Sequence, residues 1–323
     1  MKAIVNTGIG KLELLEIPLP EPCEGQVRIR TAATGICATD LTMIDGCTRS
    51  KYPQIPGHEW SGFIDKAGVG VSKEIEGKLC VAENVISDGG EVGFEHPGAY
   101  GEYFVTEAAN VRILPKSFPV SEAALIEPLA VCVRGIRRLR ITDRKSALIF
   151  GDGPVGQIML MLLVLDGVDN IVLVGGRKGR LETAVKNGAS AIVNYHEVKC
   201  DLAEEIAKGK VAEFANVIEA AGTGKAVSAA FALAAKGGHL LMVGDYDKLM
   251  ADFSWLSFLH RELEIISSNA SSEAWDDAVA LVMEKKISLS PLVSKVFPVS
   301  KFQEAMALVR SRSPYGIKVV LEW

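Results

Sequence analysis

One short stretch constrains this chain more than any other. The apolar run Ala147 to Phe150 leads at once into GDGPVG, Gly151 to Gly156, and then into the apolar segment QIMLMLLVL. A Gly-x-Gly-x-x-Gly match is weak alone, but between a buried-type strand and an apolar helix it becomes specific. Gly151 would permit the tight turn, Gly153 would let the backbone approach a pyrophosphate, and Gly156 would let helix and strand pack closely. Pro154 and Val155 complete the loop, and the helix N-terminus would attract the phosphates. A strand feeding a helix in this way belongs to a parallel sheet covered on both faces, so a doubly wound α/β domain that binds a dinucleotide is expected.

The surrounding texture agrees. From about Ser121 onward strand-like and helical runs alternate: ALIFG, GQIMLMLLVLDG, IVLVG, LETAVKNGA, AIVNY, VIEAAG, AVSAAFALAAKGG and HLLMVG. The first 115 residues differ, with short strand-like runs such as QVRIRTAAT and EYFVTEA between Gly and Pro punctuation. At 323 residues the chain exceeds what one hydrophobic core usually serves, so two domains are expected. After Ser267, helices are expected around Glu273–Lys285 and Lys301–Arg310, followed by a closing strand in GIKVVLEW. That strand could return to the β-rich part, making the α/β domain an insertion.

Charge and composition exclude other classes. A net charge of -5 gives no electrostatic reason to dock on nucleic acid or anionic lipid. The apolar run Ile158 to Leu165 falls far short of the roughly 20 residues a membrane span requires, and the N-terminus carries no signal-peptide pattern, so a cytoplasmic location is expected. Six cysteines without paired spacing argue for free thiols rather than disulfides.

The strand IVLV should end in Asp or Glu if the site prefers NAD, because that carboxylate holds the ribose 2′-hydroxyl. Here it ends in Gly175 and Gly176, with Arg177, Lys178 and Arg180 crowding the place of a 2′-phosphate. NADP(H) is therefore favoured over NAD(H), although a merely solvated basic loop would look the same.

Two turn-rich segments, TGICATD and PGHEWSG, present Cys37, His58 and Glu59. Thiolate, imidazole and carboxylate together suit zinc. Glu127 in LIEPLAV is a further acidic candidate, because a carboxylate inside an apolar segment needs a cation or donor to tolerate burial. A carboxylate favoured by a helix N-terminus would read identically.

The combination of GICATD, GHEWSG, EPLAV, GDGPVG, EAAGTG and GIKVVLEW, spread over essentially the whole chain, resembles the zinc-containing medium-chain dehydrogenases. That resemblance implies an α/β fold in two domains. A GroES-like, β-rich catalytic domain would comprise 1–122 and 266–323, a Rossmann domain would comprise 123–265, and catalytic zinc would lie in the cleft. It makes Cys37 and His58 zinc ligands and Glu59 a nearby or exchangeable one. Glu127 takes the place where many relatives have a second cysteine, a form similar to the polyol and sugar dehydrogenase branch. Cys132 is a conceivable substitute, but five residues along a helix is roughly 140° round the axis, so Glu127 is preferred. Asp40 would orient His58 through its second ring nitrogen. The resemblance extends the cofactor set to Tyr195, Ala221, Gly222, Val243 and Lys318, and GGRKGR with Tyr195 is similar to NADP-using secondary alcohol dehydrogenases. The segment VAENVISDGGEVGFEHPGAYGEY lacks the four cysteines of a structural zinc, so one catalytic zinc only is expected, and Glu83, Glu91, Glu95 and His96 read as a surface loop.

The function so implied is hydride transfer between an alcohol or polyol, or its carbonyl, and NADP(H). Thr39 would take the hydroxyl proton and relay it through Thr42, unless it is simply a capping hydroxyl. Thr42, Tyr52 and Phe94 are candidates for the substrate pocket. A zinc-free quinone or enone reductase of the same superfamily, or a non-catalytic NADPH-binding structural or sensor protein, are the alternatives. The partners expected are a small alcohol, polyol or carbonyl and a second copy of the chain in a homodimer or homotetramer, with HLLMVG pairing edge to edge.

Overall fold

The N-terminal part forms β1 (Lys2–Gly8), β2 (Lys11–Glu16), β3 (Gln26–Gly35), β4 (Glu59–Ala67), β5 (Leu79–Ala82), β6 (Tyr103–Glu107) and β7 (Val111–Leu114), with helix α1 (Ala38–Ile44) between β3 and β4; β6 buries alternate residues, whereas β5 is buried throughout. This computed structural model describes Met1 to Trp323 except Thr142, Asp247, Lys248 and Arg312. Helices α2 (Val120–Ala123) and α3 (Ile126–Leu139) lead into β8 (Ser146–Phe150), α4 (Pro154–Leu165), β9 (Asn170–Gly175), α5 (Lys178–Lys186), β10 (Ala191–Asn194), α6 (Leu202–Ala207) and β11 (Phe214–Glu219). The chain continues through α7 (Gly224–Leu233), β12 (Ala234–Met242), α8 (Trp255–Arg261), β13 (Glu264–Ser267), α9 (Trp275–Met283), β14 (Val293–Pro298), α10 (Phe302–Arg310) and β15 (Lys318–Glu322).

Strands β8 to β13 form a six-stranded sheet in the order β10-β9-β8-β11-β12-β13, every pair parallel. The chain therefore reverses its direction of build between β8 and β11, which opens a crevice at their C-terminal ends, beside Gly151. Strand β8 is buried along its whole length. Ala147 and Ile149 pack with α3 and α4, while Leu148 and Phe150 pack with α7 on the opposite face, which is why no polar residue is tolerated between them.

The second sheet has seven strands along β14-β15-β3-β4-β5-β7, with β6 also on β3. The closing strand β15 lies antiparallel to β3, Val320 opposite Gly35, so the C-terminal residues join a sheet that begins at β3, while β1 and β2 pair with each other in a separate two-stranded sheet. Leu79 and Val81 of this sheet share one apolar cluster with Leu125 and Leu129 around α3 and with Ile149 of β8.

Three local expectations differ from the structure. HLLMVG is not an edge: β12 lies between β11 and β13, because the short run Glu264–Ser267 adds a further strand outside it. Helix α4 starts at Pro154 rather than Gln157, since proline has no amide to lose in a first turn. The segment AVSAAFALAAKGG is helical only to Leu233; Ala234 pairs with Phe214, and Gly237 at φ 69° cannot continue a helix.

Candidate active site

Pairing of β3 with both β4 and β15 builds the donor cluster. Register sets Glu59 opposite Gly35, and the same end of β3 delivers Cys37, which caps α1. A Cβ on Gly35 would collide with Glu59 Oε2, so only glycine leaves room for the carboxylate there. One ligand atom each from Cys37, His58 and Glu59 lies within 4.8 Å of the others, the one such group among the described residues. A thiol, an imidazole and a carboxylate converging in a buried place fit zinc and few other common cations. Glu59 Oε2 is also buried and accepts no directed hydrogen bond among the described residues, although the Lys318 ammonium lies 2.7 Å away, so it keeps accepting capacity toward a cation.

The group is held from behind. His58 Nδ1 lies 3.0 Å from Asp40 Oδ1, and Asp40 Oδ2 accepts from the Cys37 amide at 2.9 Å and from the Tyr100 hydroxyl at 3.2 Å. Asp40 is fully buried. Burial works to raise its pKa, but His58, the Cys37 amide and Lys318 outweigh it and hold the carboxyl below its ordinary range. An ionised carboxylate only accepts, so His58 carries its proton on Nδ1 and leaves Nε2 free. The His58 carbonyl accepts from Asn84 Nδ2 at 2.7 Å, and Asn84 Oδ1 accepts from Trp60 Nε1 at 2.9 Å. Lys318 is buried with its ammonium 2.7 Å from both Glu59 oxygens, and it donates a well-directed hydrogen bond to Oε1.

Glu127 lies in the first turn of α3 and outside the three-residue group. Burial, with Glu59 and Glu91 adding to it and His58 and Lys318 opposing, pushes its pKa up to about 7. It thus shares the electrostatic field of the donor cluster and also has a helix N-terminal position. Cys132 points elsewhere, its sulfur 3.7 Å from the Val155 carbonyl. Thr39 Oγ1 lies 3.7 Å from Cys37 Sγ, whereas the Thr42 hydroxyl donates to the Ala38 carbonyl at 3.3 Å.

The segment expected to be a surface loop is tied into the site. Phe94 packs on the His58 ring with centroids 4.7 Å apart, and Arg49 lies over Phe94 while pairing with Glu95 at 2.7 Å and Glu91 at 3.1 Å. His96 faces Asp88 at 3.0 Å. Tyr52 stands apart, its hydroxyl 3.5 Å from the Met43 carbonyl.

In the glycine loop Gly151 adopts φ 119°, and a Cβ on Gly156 would overlap the Gly151 carbonyl. Gly153 caps α4, and no side-chain cap occupies that helix start among the described residues, so the first-turn amides of Val155 and Gly156 face outward as an anion cradle. Gly151 abuts the Ala220 carbonyl, and the Ala221 and Gly222 amides both donate to Glu219 Oε1 at 3.0 Å. The Val243 amide donates to the Glu219 carbonyl at 2.9 Å. Beyond β9 the Tyr195 ring covers Gly176, and its amide donates to the Gly175 carbonyl at 3.0 Å. Asn84, Tyr100 and Asp152 are site neighbours that sequence reasoning missed. Asp152 alone carried a signal, as the acidic residue inside the glycine loop.

A six-stranded parallel sheet with a glycine cradle at its crevice, joined to a β-rich sheet bearing a thiol–imidazole–carboxylate cluster, defines a two-domain dehydrogenase architecture. Residues 23–116 match the alcohol dehydrogenase GroES-like domain, and residues 154–284 match the zinc-binding dehydrogenase family. The chain belongs to the zinc-type medium-chain dehydrogenase/reductase family, and is an NAD(P)-dependent oxidoreductase of CH–OH groups. It is 28% identical to D-arabitol-phosphate dehydrogenase from Enterococcus avium over 98% of this chain and 95% of that one. It is 27% identical to galactitol 1-phosphate 5-dehydrogenase from Escherichia coli K12 over 99% of each. A short chain alcohol dehydrogenase from Escherichia coli CFT073, solved with NADH, superposes with a TM-score of 0.93 at 24% identity, covering 100% of this chain and 99% of that one, and shows the shared fold. Among the described residues no helix is long and apolar enough to cross a membrane.

Proposed function

We propose that this chain is a zinc-dependent dehydrogenase that passes hydride between the carbinol carbon of an alcohol or polyol and NADP(H). The observation that carries the reading is the meeting of half-buried Cys37 with buried His58 and Glu59 within 4.8 Å. Cys37 and His58 hold the ion, Glu127 completes the set from α3, and Glu59, tethered to Lys318, is the exchangeable donor. The catalytic domain is 1–122 with 266–323 and the nucleotide domain 123–265, except that the last two residues of β13, Ile266 and Ser267, pair with β12 and go with the nucleotide sheet. The names of the relatives support a polyol, with or without a phosphate.

When bound, zinc supplies the Lewis acidity that makes an alcohol proton easier to lose, and the nicotinamide accepts the hydride. The protein does the rest by position. Asp40 fixes the His58 tautomer, and Phe94 with the Arg49 cluster excludes water from one side of the imidazole. Thr39 Oγ1 stands beside Cys37, where it can take the substrate hydroxyl proton while passing its own to solvent. The Thr42 hydroxyl, bonded back to Ala38, would have to rotate to extend that relay. Val155 and Gly156 amides receive the pyrophosphate, Arg177, Arg180 and Tyr195 surround the adenosine ribose, and Ala221, Gly222, Val243 and Lys318 line the approach to the nicotinamide.

Metal analysis of the purified chain, together with NADPH-coupled assays on a panel of alcohols and polyols, tests the reading. About one zinc per chain that disappears in Cys37→Ser, along with turnover, is the expected result. A metal-free chain that still reduces quinones or enones would replace it with the zinc-free reductase alternative.

A further inference from the structure

Strand β9 ends at Gly175 and Gly176 follows it, so the chain has no carboxylate where this sheet order normally presents one to a ribose. The space is filled from the side. Asp152, between the first two glycines of the loop, reaches across from the β8–α4 turn and accepts from the Gly176 amide at 2.9 Å and the Arg177 amide at 2.8 Å through Oδ2. A Cβ on Gly175 would lie 2.6 Å from that same oxygen. The carboxylate therefore rests where a side chain at position 175 would begin. Its other oxygen, Oδ1, lies 3.5 Å from Arg180 Nη1 and 3.7 Å from Arg177 Nη1. Arg180 is also anchored through Nε to the Gly316 carbonyl at 2.5 Å.

We propose that Asp152 is the cofactor-discriminating residue of this chain, supplying from the glycine turn the acid that β9 lacks. It favours the 2′-hydroxyl of NAD(H) and opposes the 2′-phosphate that Arg177 and Arg180 favour. Its two guanidinium contacts are longer than the roughly 2.7–2.9 Å of a strong charge-assisted bond, so Oδ1 keeps capacity to accept from a hydroxyl. A phosphate drawn to the same two arginines would stand beside a buried negative charge. Two cations still outnumber one anion, so NADP(H) remains the better ligand, but by a narrower margin than the arginines alone would set. Burial and the Arg177 charge pull the Arg180 guanidinium down to about 10 in spite of Asp152, so the pair gains from any anion between them. The inference rests on the dinucleotide reading of the glycine loop.

The test is binding, not turnover. NADPH and NADH are titrated separately into wild type, Asp152→Asn and Arg177→Ala, following quenching of tryptophan fluorescence, with melting temperature as the folding control. Asp152→Asn should tighten NADPH and weaken NADH, shifting their ratio by about tenfold or more, the size expected for one charged hydrogen bond exchanged for one relieved repulsion. Arg177→Ala should move the ratio the other way. Asp152→Ser keeps an acceptor for the two amides without the charge and repeats the test if the Asn variant does not fold. A folded variant that binds both cofactors in the wild-type ratio overturns the role of Asp152 and leaves the dinucleotide site standing. Wild-type chain that binds neither cofactor overturns the site itself, and the role of Asp152 with it.

Discussion

Replacing Asp40 by Asn should cost the metal site about 10- to 100-fold in zinc affinity. The size follows from the contacts. Asp40 accepts three hydrogen bonds, from His58 Nδ1 at 3.0 Å, the Cys37 amide at 2.9 Å and the Tyr100 hydroxyl at 3.2 Å, and it is fully buried. Asparagine is nearly isosteric but has only one accepting oxygen. If that oxygen stays with the Cys37 amide and Tyr100, the amide NH2 turns to His58 and forces Nδ1 to accept, which moves the imidazole proton to Nε2, the atom needed for the ion. Losing one buried charge-assisted bond of about 1.5–3 kcal/mol corresponds to roughly one to two factors of ten in Kd. Competition with a chromophoric chelator at fixed pH measures the zinc Kd of both proteins directly. Tyr100→Phe is the control, since it removes one bond to Asp40 without touching His58, and it should weaken zinc by a smaller factor. An unchanged Kd in the Asn variant, with one ion still bound, would refute the role given to the Asp40–His58 contact.

Three further perturbations test other parts of the molecule. Thr39→Val should lower turnover by about 10²-fold or more while leaving zinc content intact, and equal turnover by stopped-flow or steady-state assay would remove its role in moving the proton. Gly156→Ala drives a methyl group into the Gly151 carbonyl, so NADPH binding should be lost and the domain destabilised by about 1–3 kcal/mol, read by fluorescence titration and denaturant unfolding. Burial raises the Glu219 pKa above its ordinary 4.5 despite bonds from Tyr246 and the Ala221 and Gly222 amides, so the folded state binds a proton that the unfolded state releases. Between the ordinary and the raised value wild-type stability should therefore fall, relative to Glu219→Gln, as pH rises; parallel pH profiles of the two unfolding free energies would contradict this.

Much of the site could be read from the chain. The glycine loop announces itself because strand, turn and helix are consecutive, and each glycine answers a local steric demand. Cys37, His58 and Glu59 were legible as chemistry-bearing residue types in turn-rich segments. Asn84 and Tyr100 were not, because a polar residue that supports another through one bond leaves no periodic trace. Phe94 and the Glu91–Arg49–Glu95 cluster belong to a segment whose charges read as solvent-facing, and its pairing with Arg49 together with backbone bonds from Gly98, Ala99 and Tyr100 to residues 55–57 bring it against His58. The interior position of β12 escaped as well, since β13 is a four-residue run too short to signal a strand.

What the chain determined by itself was everything set by neighbours in sequence: the βα alternation, the anion cradle at Gly151 to Gly156, and the residue types able to hold a cation. What the tertiary structure decided was which distant residues meet. Lys318 reaches Glu59 across 259 positions because β15 returns to β3, and Asp152 reaches the end of β9 because β8 and β9 lie side by side. Such meetings depend on strand register, which is fixed by packing of the whole core rather than by any local run of residues.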